Sequence, residues 1–185
     1  MSNWRPFFTP EYLYFLTTTT VQRQHLFRQD VLKRLVVDTL DCMRLRERLK
    51  LYAFVVMPNH IHLIIQCTEA YPLDACVRDL KKHVAERVIR HYKVEGNRAV
   101  LGFLSGAVGE SGKQRYKVWE DGYDAREVFS PKFLEQKLSY LHQNPCQAHW
   151  DLVRHPEEYA WSSARFYVLG EPAIIPVDHV NQYLV

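Results

Sequence analysis

The sequence predicts an α+β fold in which helices cover one face of an antiparallel sheet, and three observations support that prediction. Runs of β-branched and aromatic residues indicate strands. Apolar residues at helical spacing indicate two long helices between those strands. The turn residues Met57, Pro58 and Asn59 indicate that the second strand turns directly into the third. The resulting order, β-α-β-β-α-β, is typical of a ferredoxin-like sandwich.

The first half of the chain supplies one strand, one helix and a hairpin. Residues 12–21, YLYFLTTTTV, are rich in aromatic and β-branched side chains and are predicted as the first strand. Residues 30 to about 50 are predicted as a helix with Asp30 as its N-cap. Residues 51–56 and 60–67 are predicted as a hairpin. In this topology the first and third strands are central, and the third carries two histidines.

The second half begins with a helix predicted at residues 72–92 and then changes in composition. Five of the seven glycines lie between residues 96 and 112. Residues 94–114 are therefore interpreted as a long glycine-rich loop, in which VLGFL could form a short local element. A strand is predicted at residues 115–118, and the following WEDGYDAREV is interpreted as continuing strand or turn.

A last helix is predicted to begin after Ser130, which is suited to an N-cap, with Pro131 in the first helical position. It must end near Asn144, because Pro145 disfavours helical geometry in the residue before it. Residues 146–185, which are aromatic and interrupted by prolines, are predicted as a C-terminal tail that wraps the domain. The 185 residues are interpreted as one domain with its core at about residues 10–145.

The composition allows a nucleic-acid partner without requiring one. The net charge of +3 and the pI of about 8.6 permit an anionic partner. The four cysteines have no CxxC spacing and are expected to be reduced thiols. No apolar run approaches the length of about 20 residues that a membrane span needs. We therefore expect a cytoplasmic protein without a membrane partner.

His60 and His62 stand out in the apolar stretch VVMPNHIHLIIQ. Side chains two positions apart on a strand point to the same face, so both imidazoles project together. Two imidazoles can share a divalent ion and leave positions for substrate oxygens, as phosphate chemistry with Mg²⁺ or Mn²⁺ requires. The pair could equally be structural or solvent-facing, and a third ligand and a nucleophile would favour the metal hypothesis.

The segment KLSYLHQNP carries a second candidate pair. Tyr140 and Asn144 are four residues apart, so they lie on one face of the predicted helix. Tyr140 could also be a half-buried packing tyrosine, and Asn144 could simply end the helix before Pro145. Lys137 lies one turn before Tyr140, and His142 diverges from it on the helix, so no general base is assigned.

Together, PNHIHLII, YLHQNP and the W-S-S segment in EEYAWSSARFY resemble the HUH single-tyrosine transposases of the IS200/IS605 type. Within them the chain is most similar to the REP-associated tyrosine transposases. The resemblance implies that His60 and His62 are metal ligands and that Tyr140 is the nucleophile. It also implies that Asn144 is a third polar ligand, and it agrees with the ferredoxin-like fold predicted above.

What the resemblance implies is a transposase that uses Mg²⁺ or Mn²⁺ to cut and rejoin single-stranded DNA through a 5′-phosphotyrosine. Its DNA partner would carry hairpin or palindromic ends, and it would act as a monomer or a homodimer. A domesticated hairpin-DNA-binding protein without strand-transfer activity is the alternative. A metal-dependent hydrolase of small phosphate esters is a third hypothesis, which leaves Tyr140 without a role.

The helix predicted at residues 72–92 has a basic face. These side chains could contact DNA phosphates, or they could form an ordinary solvated helix face. The candidates for DNA binding are Lys81, Lys82, Arg87 and Arg90. Trp119 and Tyr123 could stack on unpaired bases, although packing explains them as well.

Overall fold

A computed structural model describes residues 9–10, 12–109 and 114–182 of the chain. Within that part, four strands form one sheet in the order β2-β3-β1-β4, and all neighbours are antiparallel. The strands are β1 (Leu13–Thr19), β2 (Leu49–Val56), β3 (His60–Cys67) and β4 (Asp124–Glu127). The helices are α1 (Asp30–Leu45), α2 (Leu73–Val94), α3 (Arg98–Gly106), α4 (Pro131–Gln143) and α5 (Ala164–Leu169). The predicted α+β sandwich is confirmed.

The first and third strands are central in the sheet, as the predicted topology requires. β1 pairs with β3 in a register that sets Thr17 opposite His62 and Thr19 opposite His60. The histidines therefore lie at the beginning of β3, where the chain enters the strand from the Met57–Asn59 turn. A strand that has a neighbour on both sides is held by ladders of hydrogen bonds along both edges, so these side chains start from a fixed backbone.

The first face of the sheet is covered by α1 and α2. Ile61, Leu63 and Ile65 of β3 alternate onto this face and are almost fully buried. They share a core with apolar residues of the two helices, among them Val36 and Leu80. Each such side chain contributes about 1.5–3 kcal/mol by leaving water. The prediction of helices on one face is met by this pair of helices.

The second face of the sheet carries α4 and the two histidines. Leu134 and Leu141 of α4 pack in a separate core with Phe15 of β1 and Ile64 of β3. Because side chains alternate along a strand, Ile64 points to the same face as His62. The helix that carries Tyr140 and the strand that carries the histidines therefore meet on this face.

The segment after α4 covers the outer edge of β2. Val56 donates its backbone N–H to the carbonyl of Trp161 at 2.9 Å, and Ser163 donates to the carbonyl of Phe54 at 2.9 Å. Further along, Asp178 donates to the carbonyl of Leu51 at 2.8 Å. These bonds satisfy backbone groups that an edge strand would otherwise present to water or to another chain.

The glycine-rich loop predicted at residues 94–114 is wrong for residues 98–106, where VLGFL does form part of a local element. α2 continues to Val94, and α3 occupies Arg98–Gly106, including the VLGFL stretch. The Asn97 side chain caps α3 by accepting from the N–H of Val100 at 3.1 Å, and Leu104 is fully buried. This burial and capping offset the cost of about 1 kcal/mol for each helical glycine. Residues 110–113 lie outside the described residues.

The strand predicted at residues 115–118 is also wrong. The fourth strand forms at Asp124–Glu127, within the stretch WEDGYDAREV that is interpreted above as strand or turn. The earlier segment makes backbone bonds elsewhere: Lys117 donates to Leu104 at the end of α3, and Val118 accepts from Val21. Trp119 forms only an isolated bridge with Thr20. Local β propensity cannot distinguish these two sites, because a partner strand selects between them.

Two smaller expectations concern cysteines and membranes. Cys42, Cys67, Cys76 and Cys146, which all lie in the described part of the chain, are free thiols. None of the helices in residues 9–10, 12–109 and 114–182 is both long and apolar enough to cross a lipid bilayer.

Candidate active site

His60 and His62 project side by side from β3, and their ring centroids are 4.7 Å apart. His62 is only 4% exposed, whereas His60 is partly exposed at the beginning of the strand. Phe15 of β1 stacks on His62 with a centroid distance of 5.2 Å. The ring of His62 therefore packs against an aromatic side chain of the neighbouring strand.

The Nδ1 atom of each histidine has a hydrogen-bond partner. Thr17 Oγ1 lies 2.8 Å from Nδ1 of His62, and Asn59 Oδ1 lies 2.7 Å from Nδ1 of His60. The Asn59 amide nitrogen donates to the carbonyl of Arg23 at 3.1 Å, which directs its oxygen toward His60. When each Nδ1 donates to these oxygens, each Nε2 keeps its lone pair. Outer hydrogen bonds of this kind orient metal-ligating histidines.

Both rings are neutral at physiological pH. Burial lowers the pKa of His62 to about 3, and the charges of His60 and Lys137 act in the same direction. Burial also lowers the pKa of His60 to about 4, with a further contribution from the Arg23 charge and a partial offset from the Asn144 side chain. The neutral imidazole is the form that binds metal.

Asn144 follows directly on α4 and is only 2% exposed. Its Oδ1 atom and Nε2 of His62 are both buried without a hydrogen-bond partner among the described residues. Unpaired buried polar atoms are rare in folded proteins, and a role as ligands of an ion is one of their explanations. Both residues line one cleft, together with His60. The donor set therefore fits a bound cation.

The described residues do not supply a metal site built from the usual ionisable ligand types alone. Across residues 9–10, 12–109 and 114–182, no group of three His, Cys, Asp or Glu side chains could hold a metal ion. A third protein donor beside the two histidines must then come from another residue type. The amide oxygen of Asn144 is such a donor, and the remaining positions of the metal would be open to water or substrate.

Tyr140 is 45% exposed on α4 and lines the same cleft. Its ring meets His62 edge-on with a centroid distance of 5.3 Å, and it lies 6.1 Å from Phe15. The Lys137 ammonium lies 5.7 Å from the centroid of the Tyr140 ring and 4.9 Å from that of Phe15. The structure thus brings Tyr140, Asn144 and the two histidines together, as the sequence predicted.

The position of α4 follows from its ends and its buried face. The Ser130 hydroxyl caps the helix by accepting from the N–H of Phe133 at 3.2 Å. Near the other end, His142 is buried, and its Nε2 lies 2.9 Å from Ser163 Oγ. Burial lowers the pKa of His142 to about 4. This histidine anchors the helix to the C-terminal segment and is not a lining residue of the cleft.

The cleft has a volume of about 520 Å³ and contains residues that the sequence did not single out. Trp150 lies 5.3 Å from His25 and 5.8 Å from His60 between ring centroids. Arg23 lies on the side of the cleft that adjoins a second cleft. These residues come from three separate segments, so no local pattern could have identified them as neighbours. Gln147 and His149 complete this part of the lining.

The basic residues of α2 are not brought to the histidines, because α2 packs on the opposite face of the sheet. Lys81 donates to the carbonyls of Glu120 and Gly122 at 2.8 and 2.6 Å. Arg87 binds Asp38 of α1 at 3.3 Å. The remaining two candidates, Lys82 and Arg90, are exposed. Their contact with DNA stays a prediction.

Trp119 packs and does not present a free stacking face. It is 6% exposed and lies 5.4 Å from Phe27 between ring centroids. Its indole N–H donates to the carbonyl of Lys81 at 2.9 Å. A buried indole with a satisfied N–H is typical of a core tryptophan.

Comparison with solved structures gives two matches of interest. A REP-associated tyrosine transposase bound to a REP hairpin is 17% identical, with a TM-score of 0.62 over 97% of this chain and 93% of that one. A protein from Deinococcus radiodurans R1 described as a transposase is 20% identical, with a TM-score of 0.48 over 77% of this chain and 97% of that one. The first match shows a shared fold. No curated protein matches this chain.

A family model supplies the decisive comparison. The model described as "Transposase IS200 like" matches residues 9–104, which include both cleft histidines and end before Tyr140. That range is more than half of the 185 residues. It covers the sheet strands β1, β2 and β3 and the helices α1 and α2. The chain therefore belongs to the IS200-like transposase family.

Proposed function

We propose that this protein cleaves and rejoins single-stranded DNA through a covalent bond between Tyr140 and a 5′ phosphate. One observation carries the proposal: the Tyr140 ring lies 5.3 Å from that of His62, in a cleft where a buried imidazole nitrogen and a buried amide oxygen have no partner among the described residues. A nucleophile beside a set of cation ligands is what metal-assisted phosphoryl transfer requires.

His60, His62 and Asn144 would hold the divalent cation, which we propose to be Mg²⁺ or Mn²⁺. When bound, the cation would polarise the scissile phosphate and offset its developing charge. The neutral state of both imidazoles and their outer partners Thr17 and Asn59 support this assignment. Because β3 is a central strand, the two histidines would keep their geometry as the DNA changes.

The covalent step would exchange one phosphodiester for another. The Tyr140 phenolic oxygen attacks phosphorus and its proton is released to solvent. The bond from phosphorus to the 3′ oxygen breaks, and that oxygen takes up a proton as a free 3′-OH. Since the phosphotyrosine retains the phosphodiester bond energy, attack by another 3′-OH can rejoin the strand without ATP.

Lys137 is suited to assist Tyr140 electrostatically. Its ammonium contacts the faces of the Phe15, Phe133 and Tyr140 rings, at 4.9, 5.2 and 5.7 Å from their centroids. No carboxylate within the described residues forms an ion pair with it. An unpaired cation one turn before the nucleophile would stabilise the negative charge that develops on the attacking oxygen.

The DNA partner is inferred from the fold and from the cleft. The REP-associated transposase that shares the fold is bound to a REP hairpin. We propose that this chain also acts on single-stranded DNA beside a hairpin. The exposed Lys82 and Arg90 would contact the DNA outside the cleft.

The test uses single-stranded DNA that carries the hairpins flanking the gene, incubated with Mg²⁺ or Mn²⁺. A covalent protein–DNA adduct is sought on a denaturing gel for the wild type and for Tyr140→Phe. We expect an adduct that requires metal and is absent from the Tyr140→Phe reaction. Tyr12→Phe, which changes an exposed tyrosine outside the cleft, is the matched control and should form the adduct normally.

Two results would contradict the proposal. An adduct that persists in Tyr140→Phe would assign the chemistry to another nucleophile. Tight hairpin binding without an adduct under either metal would favour the alternative of a DNA-binding protein that has lost its chemistry.

A further inference from the structure

Gln22 and Arg23 have an unusual backbone conformation beside the cleft. Their φ angles are +50° and +53°, which place two consecutive non-glycine residues in the left-handed region. Side chains with a Cβ atom adopt this region rarely, because the Cβ approaches the following carbonyl oxygen. Such a conformation persists only where neighbouring contacts hold it, and such sites cluster where function needs them.

Three hydrogen bonds hold this turn in place. The Gln22 N–H donates to the carboxylate of Glu120 at 2.6 Å. The Arg23 N–H donates to the Thr20 carbonyl at 3.0 Å, and the Arg23 carbonyl accepts from the Asn59 amide at 3.1 Å. Asn59 also contacts Nδ1 of His60 at 2.7 Å. One buried amide therefore ties the turn to a cleft histidine.

The Arg23 side chain lies between two clefts. It lines the histidine cleft and also the adjoining cleft, where Glu120, Asp121 and Asp124 supply carboxylates. In the part of the chain that the structure describes, no carboxylate forms an ion pair with Arg23. A phosphate would be repelled by the acidic cleft and attracted to the histidine side, where the guanidinium has no competing anion.

We propose that this strained turn presents Arg23 as a phosphate-binding residue for the DNA strand that enters the histidine cleft. The inference rests on the proposed function for the class of ligand and deepens it by naming a contact. The guanidinium offers a planar fork of donors that matches phosphate oxygens. Through Asn59, the contact would be kept at a fixed distance from the His60 ring.

The experiment measures DNA binding by fluorescence anisotropy at several salt concentrations, in Tyr140→Phe protein that forms no covalent bond. The probes are the labelled hairpin-flanked single strand and a labelled oligothymidylate. Arg23→Gln is compared with Arg46→Gln, which removes the same charge from an exposed site after α1, at the other end of the sheet. Affinity falls as salt rises, so a plot of log affinity against log salt has a negative slope. Loss of one phosphate contact should reduce the magnitude of that slope by about 0.7.

We expect Arg23→Gln to bind at least about tenfold more weakly, since a charged hydrogen-bond partner is lost. Arg46→Gln should match the parent in affinity and slope. Arg23→Gly, which relieves the left-handed strain, should fold normally and still bind weakly. Weak binding by both Arg23 variants, with neither variant melting below the parent protein, would support the contact.

The inference is overturned if Arg23→Gln keeps the salt dependence of the parent protein, or if Arg23→Gln and Arg46→Gln lose the same amount of DNA affinity. It is also overturned if the parent protein binds neither probe. Arg23→Gln could show a smaller salt dependence of DNA binding while the wild type forms no tyrosine adduct. That pair of results would support the phosphate contact and reject the proposed chemistry. The two proposals therefore fail separately.

Discussion

Thr17 Oγ1 and His62 Nδ1 lie 2.8 Å apart across the ladder that joins β1 to β3. This contact fixes the ring and leaves Nε2 as the atom that faces the cleft. Thr17→Val keeps the shape and removes the oxygen, so it should lower the affinity for Mn²⁺ by about 10–100-fold. Calorimetric titration of the protein with Mn²⁺ measures this affinity directly.

The neighbouring Thr18 is the matched control for Thr17. It faces the opposite side of the sheet, and its hydroxyl is buried without a hydrogen-bond partner among the described residues. Thr18→Val should leave Mn²⁺ affinity unchanged and should not destabilise the fold, because no hydrogen bond is lost. Equal Mn²⁺ affinities in the Thr17→Val and wild-type proteins would show that Thr17 does not orient a ligand.

Asn144→Leu should separate metal binding from folding. The substitution removes a buried oxygen that has no hydrogen-bond partner in the described part of the chain, together with the side-chain interaction with His60, and the metal-free protein should still fold. The rise in melting temperature that Mn²⁺ gives the wild type should be absent from the variant. Differential scanning calorimetry with and without Mn²⁺ tests both statements, and a wild-type-sized metal shift would exclude Asn144 as a ligand.

Lys137→Met should slow the covalent step and leave the fold intact. The ammonium contacts three aromatic rings near the nucleophile, and methionine can keep part of that packing. Loss of one charge that stabilises the transition state should reduce the rate of adduct formation by about 100-fold. The control is Lys132→Met, at an exposed position in the first turn of α4. Equal single-turnover rates in both variants would remove Lys137 from the reaction.

Ser163→Ala should destabilise the protein by about 1–3 kcal/mol. The hydroxyl lies 2.9 Å from Nε2 of His142 and accepts from the N–H of Phe54 at 3.0 Å, so its loss leaves buried groups unpaired. Urea denaturation measures the change in the free energy of unfolding. Ser139→Ala, on the exposed side of α4, should change that free energy by less than about 0.5 kcal/mol.

Arg23→Gly should raise the free energy of unfolding by up to about 1 kcal/mol. Relief of the left-handed conformation gains about 1–2 kcal/mol, and the added freedom of the unfolded chain removes part of that gain. Gln24→Gly, at a φ of −61°, has no strain to relieve and should lower the free energy of unfolding by about 0.5–1 kcal/mol. Opposite signs at these adjacent positions would establish that the turn is strained.

Much of the candidate site follows from local periodicity. A strand has a period of two, so His60 and His62 must share a face wherever the strand lies. A helix brings residues four apart together, so Tyr140 and Asn144 must be neighbours. The third-strand position was also predictable, since the order of elements sets which strands are central. The comparison that shows the family agrees with the resemblance carried by the sequence motifs.

Other predictions failed where a tertiary partner outweighed local composition. The glycines near residue 100 indicated a loop, yet Leu104 is buried and the segment is helical. The basic face of α2 stays a predicted DNA contact, although Lys81 of that face donates to two carbonyls of a neighbouring turn. In each case the deciding contact joins residues far apart in sequence.

The sequence by itself determined the α+β class, the pair of histidines and the helix that carries Tyr140, because these depend on repeats within single elements. The tertiary structure decided that α4 lies on the histidine face of the sheet and that Thr17 and Asn59 hold the two rings. It also decided that Arg23 and Trp150 line the cleft. Strand register and helix placement come from packing between distant segments, and no local period encodes them.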